Sequence, residues 1–298
     1  MTTHAYASDM TETATRQATT SGSFDIGGDL PVVRLGFGAM RLTGKGIWGE
    51  PADRAECVRV LRRAVELGVT FIDTADSYGP FVSEQIIREA LHPYPEGLVL
   101  ATKSGLTRQR ADSWIPVGRP EYLRQQCEMS LRHLGVERID LYQLHRIDAA
   151  VPLEDQLGEF VALQNEGKIR HIGLSEVDVA ELDAASKLAS IVSVQNRYNL
   201  VDRDAEDLLT VCEERSIGFI PWAPLVSGDI ARPGGPLETI SSEHGATPSQ
   251  LALAWLLRRS PVILPIPGTS TVAHLEENIA AAAIELSDAE FASLSAAA

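Results

Sequence analysis

The sequence has few cysteines and no long apolar run. Its three cysteines, Cys57, Cys127 and Cys212, are an odd number, lie far apart and form no CxxC pair. This pattern excludes a disulfide framework and favours a reducing compartment, so we expect a cytoplasmic protein and no metal site. No apolar run reaches about 18 residues, the length that a membrane-spanning helix requires.

Basic residues are scarce relative to acidic ones. The chain has 26 lysines and arginines against 41 aspartates and glutamates, which gives a formal net charge of −15. An acidic surface repels the phosphates of nucleic acids and of anionic membranes, so we expect neither as a partner. The balance still permits a local basic site for one phosphate group. It does not predict an oligomeric state.

The N-terminal stretch MTTHAYASDMTETATRQATTSGS is polar and rich in threonine and alanine. It lacks the apolar core of a signal peptide. Its composition predicts disorder, because it offers little apolar surface to bury. We therefore expect a disordered polar tail over residues 1–22 and a single domain over residues 23–298, since no linker or internal repeat divides the remainder.

From Gly36 onward, short apolar runs typical of strands alternate with amphipathic segments typical of helices. Such alternation predicts a parallel sheet. Eight strands, each followed by a helix, favour an α/β fold of the (β/α)8 TIM-barrel type over a doubly wound sheet. Arg41 also stands where a GxGxxG dinucleotide fingerprint would need its third glycine after Gly36 and Gly38. The eight runs are LGFGAM, VTFID, LVLATK, IDLYQLH, IRHIGLS, SIVSVQ, IGFIPW and VILPIPG.

Shorter elements flank this alternation. The stretch SFDIGGDLPVVRL predicts an N-terminal β-hairpin that turns at Gly27–Asp29. Capping boxes begin helices at Thr247, with Pro248 next, and at Ser287, where a short C-terminal helix follows. Five further helices are expected over Arg54–Leu67, Pro120–Leu134, Glu154–Glu166, Val179–Ala189 and Ala205–Arg215.

Reactive side chains stand where the predicted strands end. Asp73 ends the second strand with Tyr78 just beyond it, Lys103 ends the third and His145 the fourth. Taken singly, each has an ordinary structural explanation: a turn acid, a lysine with its ammonium in solvent, or a core histidine. In TIM barrels, however, the carboxyl ends of all strands meet at one face, where active sites lie. We therefore expect these four side chains to meet.

The four side chains suit proton transfer to an oxygen atom. A tyrosine, with a pKa of about 10, is a reluctant acid, and a nearby ammonium lowers that pKa. Lys103 would be that ammonium and Asp73 its counter-charge, while His145 could donate a hydrogen bond to a carbonyl oxygen beside Tyr78. Such an acid suits carbonyl reduction by hydride transfer. Because no side chain donates hydride, a nicotinamide cofactor is expected.

The sequence here resembles the aldo-keto reductases, in particular their bacterial pyridoxal-reductase-like type. The spacing of Asp73, Tyr78, Lys103 and His145 follows that family's order, and the resemblance runs from about residue 24 to the C-terminus. It implies a catalytic tetrad of these four residues and an NADPH-dependent reduction of an aldehyde or ketone, with Tyr78 as proton donor. The motifs that carry it are DTADSYG, GLSEVD, VQNRYN and IPGTSTVAHLEEN.

The resemblance also implies contacts with the nicotinamide. Ser175 and Gln195 would hold its carboxamide, and Trp222 would stack on its ring, where many relatives have tyrosine. Glu176 stands where many relatives have asparagine. A carboxylate can accept from the carboxamide NH₂ but cannot donate to its oxygen, so the resemblance leaves the role of Glu176 open.

The segment PGTSTVAHLEEN predicts the rest of the cofactor site. Gly268 follows the last strand, and Ser270 or Thr271 can cap the next helix, whose free N–H groups would hold the 2′-phosphate of NADPH. His274 stands where many NADPH-using relatives have arginine, which predicts only a moderate preference for NADPH over NADH. By resemblance, Glu277 and Asn278 would hold the adenine.

Two other functions remain open from the sequence. An aldolase could form a Schiff base on Lys103, with Asp73 and Tyr78 as proton carriers. Alternatively, some proteins of this fold are redox-sensing binding subunits of channels. The carbonyl substrate is not predicted, because it depends on loops over residues 105–118 and 227–235 at the barrel mouth.

Overall fold

The computed structural model describes residues 17–225 and 236–296. It begins with a 3₁₀ helix at Gln17–Ser21, in which Ala18 is fully buried and donates its N–H to the Leu67 carbonyl at 2.9 Å. These residues belong to the stretch assigned to the tail. The division into a tail over residues 1–22 and one domain stays a prediction, and the loop over residues 227–235 lies outside the described residues.

Two antiparallel strands follow, β1 (Ser23–Ile26) and β2 (Leu30–Val33), with Ile26 opposite Leu30. Gly27 and Gly28 between them have φ angles of +65° and +82°, which glycine adopts without steric cost. The apolar face of this pair packs against residues at the amino ends of the parallel strands. The buried residues of that cluster are Ile26, Leu30, Val32, Phe71, Val99, Ala101, Leu141, Val192, Ile220, Leu264 and Ile266.

The centre of the fold is a curled parallel sheet, which has seven strands among the described residues. Its strands run in the order β11-β10-β9-β8-β5-β4-β3, so chain neighbours are sheet neighbours, while β6 and β7 form a small antiparallel pair in a loop. The bounds are β3 Phe37–Gly38, β4 Phe71–Asp73, β5 Val99–Ser104, β6 Leu106–Thr107, β7 Ile115–Pro116, β8 Ile139–Leu144, β9 Ile169–Ser175, β10 Ile191–Gln195 and β11 Gly218–Phe219.

Helices alternate with these strands and cover the outer face of the sheet. The strands are buried almost throughout, as is typical of parallel sheets, and their polar residues lie mainly toward the carboxyl ends. The helices are α1 Arg54–Glu66, α2 Val82–Leu91, α3 Pro120–Leu134, α4 Leu153–Asn165, α5 Val179–Ser186, α6 Glu206–Glu214, α7 Pro236–His244, α8 Pro248–Arg259, α9 Val272–Ala280 and α10 Asp288–Ala296.

The helix predictions agree with these bounds to within three residues. The capping box of α8 is confirmed: Thr247 accepts from the Gln250 N–H, and the Gln250 side chain accepts from the Thr247 N–H. The same reciprocal bonds join Ser287 and Glu290 at the start of α10. Within residues 17–225 and 236–296, no helix combines the length and apolar composition that crossing a bilayer requires.

The eighth predicted strand, residues 262–268, is not a regular strand. Pro265 and Pro267 have no N–H, so the run cannot donate a complete ladder of hydrogen bonds. It still lies beside β11, where the Leu264 N–H donates to the Phe219 carbonyl at 2.8 Å. The described part of the chain therefore shows seven strands and one irregular segment, and the closed eight-unit barrel stays a prediction.

The other side of this segment faces β3 across a seam. The Gly36 N–H donates to the Pro265 carbonyl at 2.9 Å, and the Gly38 N–H donates to the Pro267 carbonyl at 3.5 Å. A Cβ on Gly38 would lie 2.6 Å from the Ile266 carbonyl oxygen. Gly36 and Gly38 therefore permit the close approach of two backbones. This packing explains both glycines without a dinucleotide-binding motif.

Candidate active site

The carboxyl ends of the parallel strands hold a buried ion pair. Lys103 and Asp73 are almost completely buried, and the Lys103 Nζ lies 2.5 Å from the Asp73 Oδ1. The ammonium also donates to the Thr74 carbonyl at 2.8 Å. Adjacent parallel strands, β4 and β5, bring the two residues together, as the strand-end positions predict.

Two amides complete the surroundings of Asp73. Gln143 and Gln195 each donate from Nε2 to its Oδ2, at 2.9 Å and 3.0 Å. Gln143 had no predicted role, although it lies two residues before the strand-end His145 on β8. Gln195 was predicted to hold a carboxamide, yet its amide N–H supports the buried carboxylate. Asp73 thus has three donors from three strands.

Tyr78 lies above this ion pair. Its ring centroid is 5.4 Å from the Lys103 Nζ and 5.9 Å from the His145 ring, which meets it edge to face. Burial raises the pKa of the Tyr78 phenol, while the charge of Lys103 acts in the opposite direction. Lys103 thus lowers the pKa as expected, but burial is the larger effect. The phenol stays protonated at neutral pH.

His145 is a buried, neutral imidazole. Burial first, and then the charges of Lys103 and Arg146, hold its pKa well below the ordinary value. Its Nδ1 lies 3.3 Å from the Ser77 hydroxyl oxygen. When Ser77 donates to Nδ1, the proton of the ring is on Nε2, and His145 is then a donor rather than an acid.

Ser175 has an arginine neighbour that the sequence analysis missed. Arg146 donates from Nη1 to the Ser175 hydroxyl at 3.2 Å and to the His145 carbonyl at 2.6 Å. The signal was its position directly after the strand-end His145. Arg146 thereby links the predicted carboxamide site at Ser175 to the backbone of His145.

Glu176 and Trp222, predicted as cofactor residues, contact each other. The Trp222 indole N–H donates to the Glu176 Oε1, which also accepts from the Arg197 N–H at 2.9 Å. The Arg197 guanidinium lies 5.7 Å from the Trp222 ring centroid. The structure thus brings these two predicted residues together, Glu176 directly after β9 and Trp222 after β11.

The loop before α9 has a tight backbone. A Cβ on Gly268 would lie 2.5 Å from the Gly38 carbonyl oxygen, so this position requires glycine. Of the two predicted caps, Thr271 is the one that accepts, from the His274 N–H at 3.4 Å, and Ser270 is exposed.

The first N–H of α9 is not free. The Glu56 Oε1 accepts from the Val272 N–H at 3.0 Å, and the other carboxylate oxygen pairs with Arg59. This bond from Val272, followed by the one from Arg59, lowers the pKa of Glu56, which is therefore ionised at neutral pH. The prediction of a helix start with free N–H groups is corrected: a carboxylate from α1 already lies there.

The predicted adenine residues lie further along α9. The Glu277 carboxylate accepts from the Thr247 hydroxyl at 2.7 Å, and its carbonyl accepts from the Gln250 amide at 2.9 Å. Asn278 is buried, whereas His274 is exposed on the first turn. Contacts of these three residues with a cofactor stay predictions.

An arginine that the sequence analysis also missed organises the loops beside Tyr78. The Arg108 guanidinium stacks 3.4 Å from the Trp114 ring centroid and lies 5.6 Å from that of Trp48. It donates to four backbone carbonyls, those of Gly46, Ile47, Ser77 and Ala111. The Trp114 ring lies 6.5 Å from Tyr78, so these tryptophans form an aromatic wall.

A second group of buried acids lies behind the ion pair. Asp76 and Glu84 are buried, and neither Asp76 oxygen accepts a hydrogen bond of good geometry within the described part of the chain, although the Ser77 N–H and hydroxyl lie close by. Burial, followed by the charge of Glu84, raises the pKa of Asp76 well above its ordinary value. Burial raises the pKa of Glu84 to about 7, although Thr102 donates to it at 2.7 Å.

Together, these contacts define what the site can do chemically. A protonated phenol and a neutral imidazole lie side by side and can both donate to one oxygen atom. The ammonium beneath the phenol stabilises negative charge that develops as the proton leaves. The site therefore suits protonation of an oxygen, with Asp73 keeping the ammonium charged.

The profile of the aldo/keto reductase family matches residues 34–298. An uncharacterised oxidoreductase of Schizosaccharomyces pombe is 53% identical over 93% of this chain and 90% of its own length. Pyridoxine 4-dehydrogenase of Escherichia coli is 42% identical over 90% of this chain and 95% of its own length. A solved aldo-keto reductase of Klebsiella pneumoniae, in complex with NADPH, has a TM-score of 0.79 and 28% identity, covering 91% of this chain and 93% of that one.

Proposed function

Because this chain belongs to the aldo/keto reductase family, we propose that it reduces a small aldehyde or ketone to an alcohol with NADPH, Tyr78 acting as proton donor. The observation that supports this most is the buried Lys103–Asp73 pair directly beneath the Tyr78 ring, with His145 at its edge. The same family assignment favours a reductase over an aldolase.

The residues present fit a nicotinamide dinucleotide. A half-buried indole, Trp222, is bonded to Glu176, which directly follows Ser175. The indole would give the nicotinamide ring a flat face, and the Ser175 hydroxyl would give the carboxamide a polar partner. Gly268, Thr271 and the buried Asn278 would hold the other half, and the Klebsiella relative is solved with NADPH. When bound, the cofactor supplies the hydride.

The proton steps belong to this chain's own side chains. Tyr78, protonated because it is buried, gives its proton to the substrate oxygen as negative charge develops there. Lys103 stabilises the phenolate that remains, and Asp73 holds the ammonium in place. His145 donates from Nε2 to the same oxygen and orients it toward Tyr78.

Two finer points of the architecture and setting are also proposals. The segment over residues 262–268 has hydrogen bonds to both β11 and β3, which supports an eight-unit barrel closed by this irregular eighth segment.

The free, buried thiols of Cys57, Cys127 and Cys212 support the expected cytoplasmic location. We expect neither nucleic acid nor membrane as a partner, as the charge of −15 indicates.

Among carbonyl substrates, a flat aromatic aldehyde such as pyridoxal is the specific candidate. The Escherichia coli relative is named for its action on pyridoxine. In this chain, the half-exposed Trp114 stands edge to face with both Tyr78 and His145, at 6.5 Å from each. An aromatic wall of this kind can contact a flat ring while its carbonyl lies at the phenol.

The test is NADPH oxidation with a panel of aliphatic aldehydes, aromatic aldehydes, ketones and pyridoxal. We expect turnover with several aldehydes and the highest kcat/KM with the aromatic ones. Absence of NADPH oxidation across the panel contradicts the proposal. Borohydride treatment with each substrate, followed by mass spectrometry, covers the aldolase alternative, for which an adduct on Lys103 would be diagnostic.

A further inference from the structure

Glu176 has a backbone conformation that residues with side chains rarely adopt. Its φ angle is +55°, in the left-handed region. Such conformations persist only where surrounding contacts fix them, and they concentrate at functional sites. Here the Glu176 N–H donates to the Gln195 carbonyl at 2.9 Å, which anchors the turn to the end of the neighbouring strand.

This turn brings the carboxylate to the ends of the next two strands. One oxygen, Oε1, accepts both the Trp222 indole N–H and the Arg197 backbone N–H. A hydrogen bond from an indole to an ionised group is among the stronger kinds, and its direction fixes the plane of the ring. Glu176 therefore restrains the edge of Trp222 and the backbone beside it.

The remaining contacts of Trp222 restrain it further. Its backbone N–H donates to the Asn196 carbonyl at 3.1 Å. The Arg197 guanidinium lies 5.7 Å from the ring centroid, and an ion pair with Asp202 at 2.7 Å holds that guanidinium. One edge and one side of the indole thus contact the protein's own groups.

We propose that Glu176 is a positioning residue, which acts through Trp222 by holding the indole plane against the nicotinamide ring. The inference rests on the proposed function, in which Trp222 stacks on the cofactor. It gives a role to Glu176, which the sequence leaves open: one carboxylate oxygen, Oε1, already has two donors from the protein.

A double-mutant cycle separates this role from direct contact with the cofactor. Calorimetric titration would measure the dissociation constant of NADPH for the wild type, Glu176→Met, Trp222→Phe and the double variant. Methionine keeps the volume of glutamate but removes the acceptor, and phenylalanine removes the indole N–H. Loss of the fixed stacking plane should weaken NADPH binding by about tenfold in either single variant.

We expect the double variant to bind NADPH as the single variants do, because the phenyl ring introduced by Trp222→Phe has no N–H for Glu176 to hold. Glu176→Gln keeps an acceptor oxygen and should restore binding to within about twofold of wild type. Asp204→Asn, which removes a nearby exposed acid, is the matched control for charge and should change nothing.

The fragment 2′-phospho-ADP-ribose, which lacks the nicotinamide, is the second probe. Its affinity should be the same in all variants, since Glu176 acts only on the nicotinamide end. A further tenfold loss from Glu176→Met in the Trp222→Phe background overturns the proposal, as does equal weakening of the fragment. If the wild type binds the fragment and NADPH equally weakly, the proposed function fails as well, and the two failures are thus distinct.

Discussion

Asp73 on one side and Asp76 with Glu84 on the other are buried acids that lie close together along the chain but have different surroundings. Asp73 faces an ammonium and two amide donors, and every one of these lies within 3.0 Å. Asp76, three residues later, has no hydrogen bond of good geometry among the described residues, and Glu84 accepts from the Thr102 hydroxyl. Burial raises the pKa of both Asp76 and Glu84.

Asp73 and Asp76 are equally buried, so they differ in their partners rather than in depth. Removing a charge from water costs several kcal/mol, which only a close opposite charge and additional hydrogen bonds offset. Where they are present, as at Asp73, a charged network can serve catalysis. Where they are absent, as at Asp76, the acid avoids the cost by keeping its proton.

The largest change in stability and turnover is expected when the Lys103 cation is removed from beside Asp73. In Lys103→Met, Asp73 would be a buried carboxylate without its cation, and the free energy of unfolding should fall by about 3–5 kcal/mol. Turnover should also be lost, because the Tyr78 phenolate is no longer stabilised. Urea titration and steady-state kinetics measure the two effects.

The matched control is Lys168→Met, which removes a more exposed lysine paired with Glu128 and Glu166. Pairs in contact with solvent contribute little, so its urea midpoint should hardly move. Equal midpoints for the two variants would show that the buried Lys103–Asp73 pair contributes no more to the free energy of unfolding than the more exposed pairs of Lys168.

Tyr78→Phe tests whether the Lys103–Asp73 pair supports proton donation by the Tyr78 phenol. Loss of the hydroxyl removes the proton donor but leaves Lys103, Asp73 and the cofactor contacts in place. We expect kcat to fall by about 10²–10⁴, the range of general acid catalysis, with the NADPH dissociation constant unchanged. Near-normal turnover with intact NADPH binding would refute Tyr78 as the donor.

Glu84, one of the two acids with a raised pKa, should make the free energy of unfolding depend on pH. Its folded pKa of about 7 lies above the ordinary value of 4.5. The stability linked to this group is complete below the unfolded pKa, declines as pH rises and is lost above about pH 7. The difference between the two pKa values corresponds to roughly 3 kcal/mol.

Glu84→Gln removes that titration and keeps an acceptor for Thr102. Relative to wild type, the variant should therefore become more stable as pH rises from about 5 to about 8, as urea titrations at each pH would show. Glu89→Gln, on the same helix but exposed and paired with Arg54, is the control and should show no such trend. A pH-independent difference for Glu84→Gln would mean that the acid is ionised throughout.

A third, partly exposed carboxylate should give the smallest effect. Glu56 occupies the Val272 N–H at the start of α9, where the 2′-phosphate of NADPH is proposed to bind. Glu56→Gln should raise the affinity for 2′,5′-ADP about two- to fivefold, the scale of a charge at a helix terminus, and leave 5′-ADP unchanged. Calorimetry measures both, with Glu276→Gln on α9 as the control for net charge.

The sequence predicted features that depend on order along the chain. The alternation of strands and helices, the capping boxes and the convergence of Asp73, Tyr78, Lys103 and His145 follow from local patterns and from the geometry of parallel strands. Their catalytic roles remain predictions. The positions were predictable because every parallel strand delivers its last residue to the same edge of the sheet.

Contacts between distant side chains were not predictable in this way. Glu56 and Val272 are 216 residues apart, and nothing near either residue indicates that they meet. The same holds for Gln195, whose amide donates to Asp73 from 122 residues away. The net pKa of Tyr78 was likewise not predictable, because the sequence shows which charge is nearby but not how completely water is excluded.

The seam between β3 and the proline-containing segment has a consequence for the motions of the protein. The amides of Gly36 and Gly38 are donors across it, while Pro265 and Pro267 can only accept, so the seam has fewer bonds than a regular ladder of the same length. Local opening follows the weakest set of bonds. Deuterium should therefore replace the Gly38 amide proton earlier than the amide protons of β5 or β8. The first local opening of the sheet should separate β3 from the segment over residues 262–268, beside Gly268.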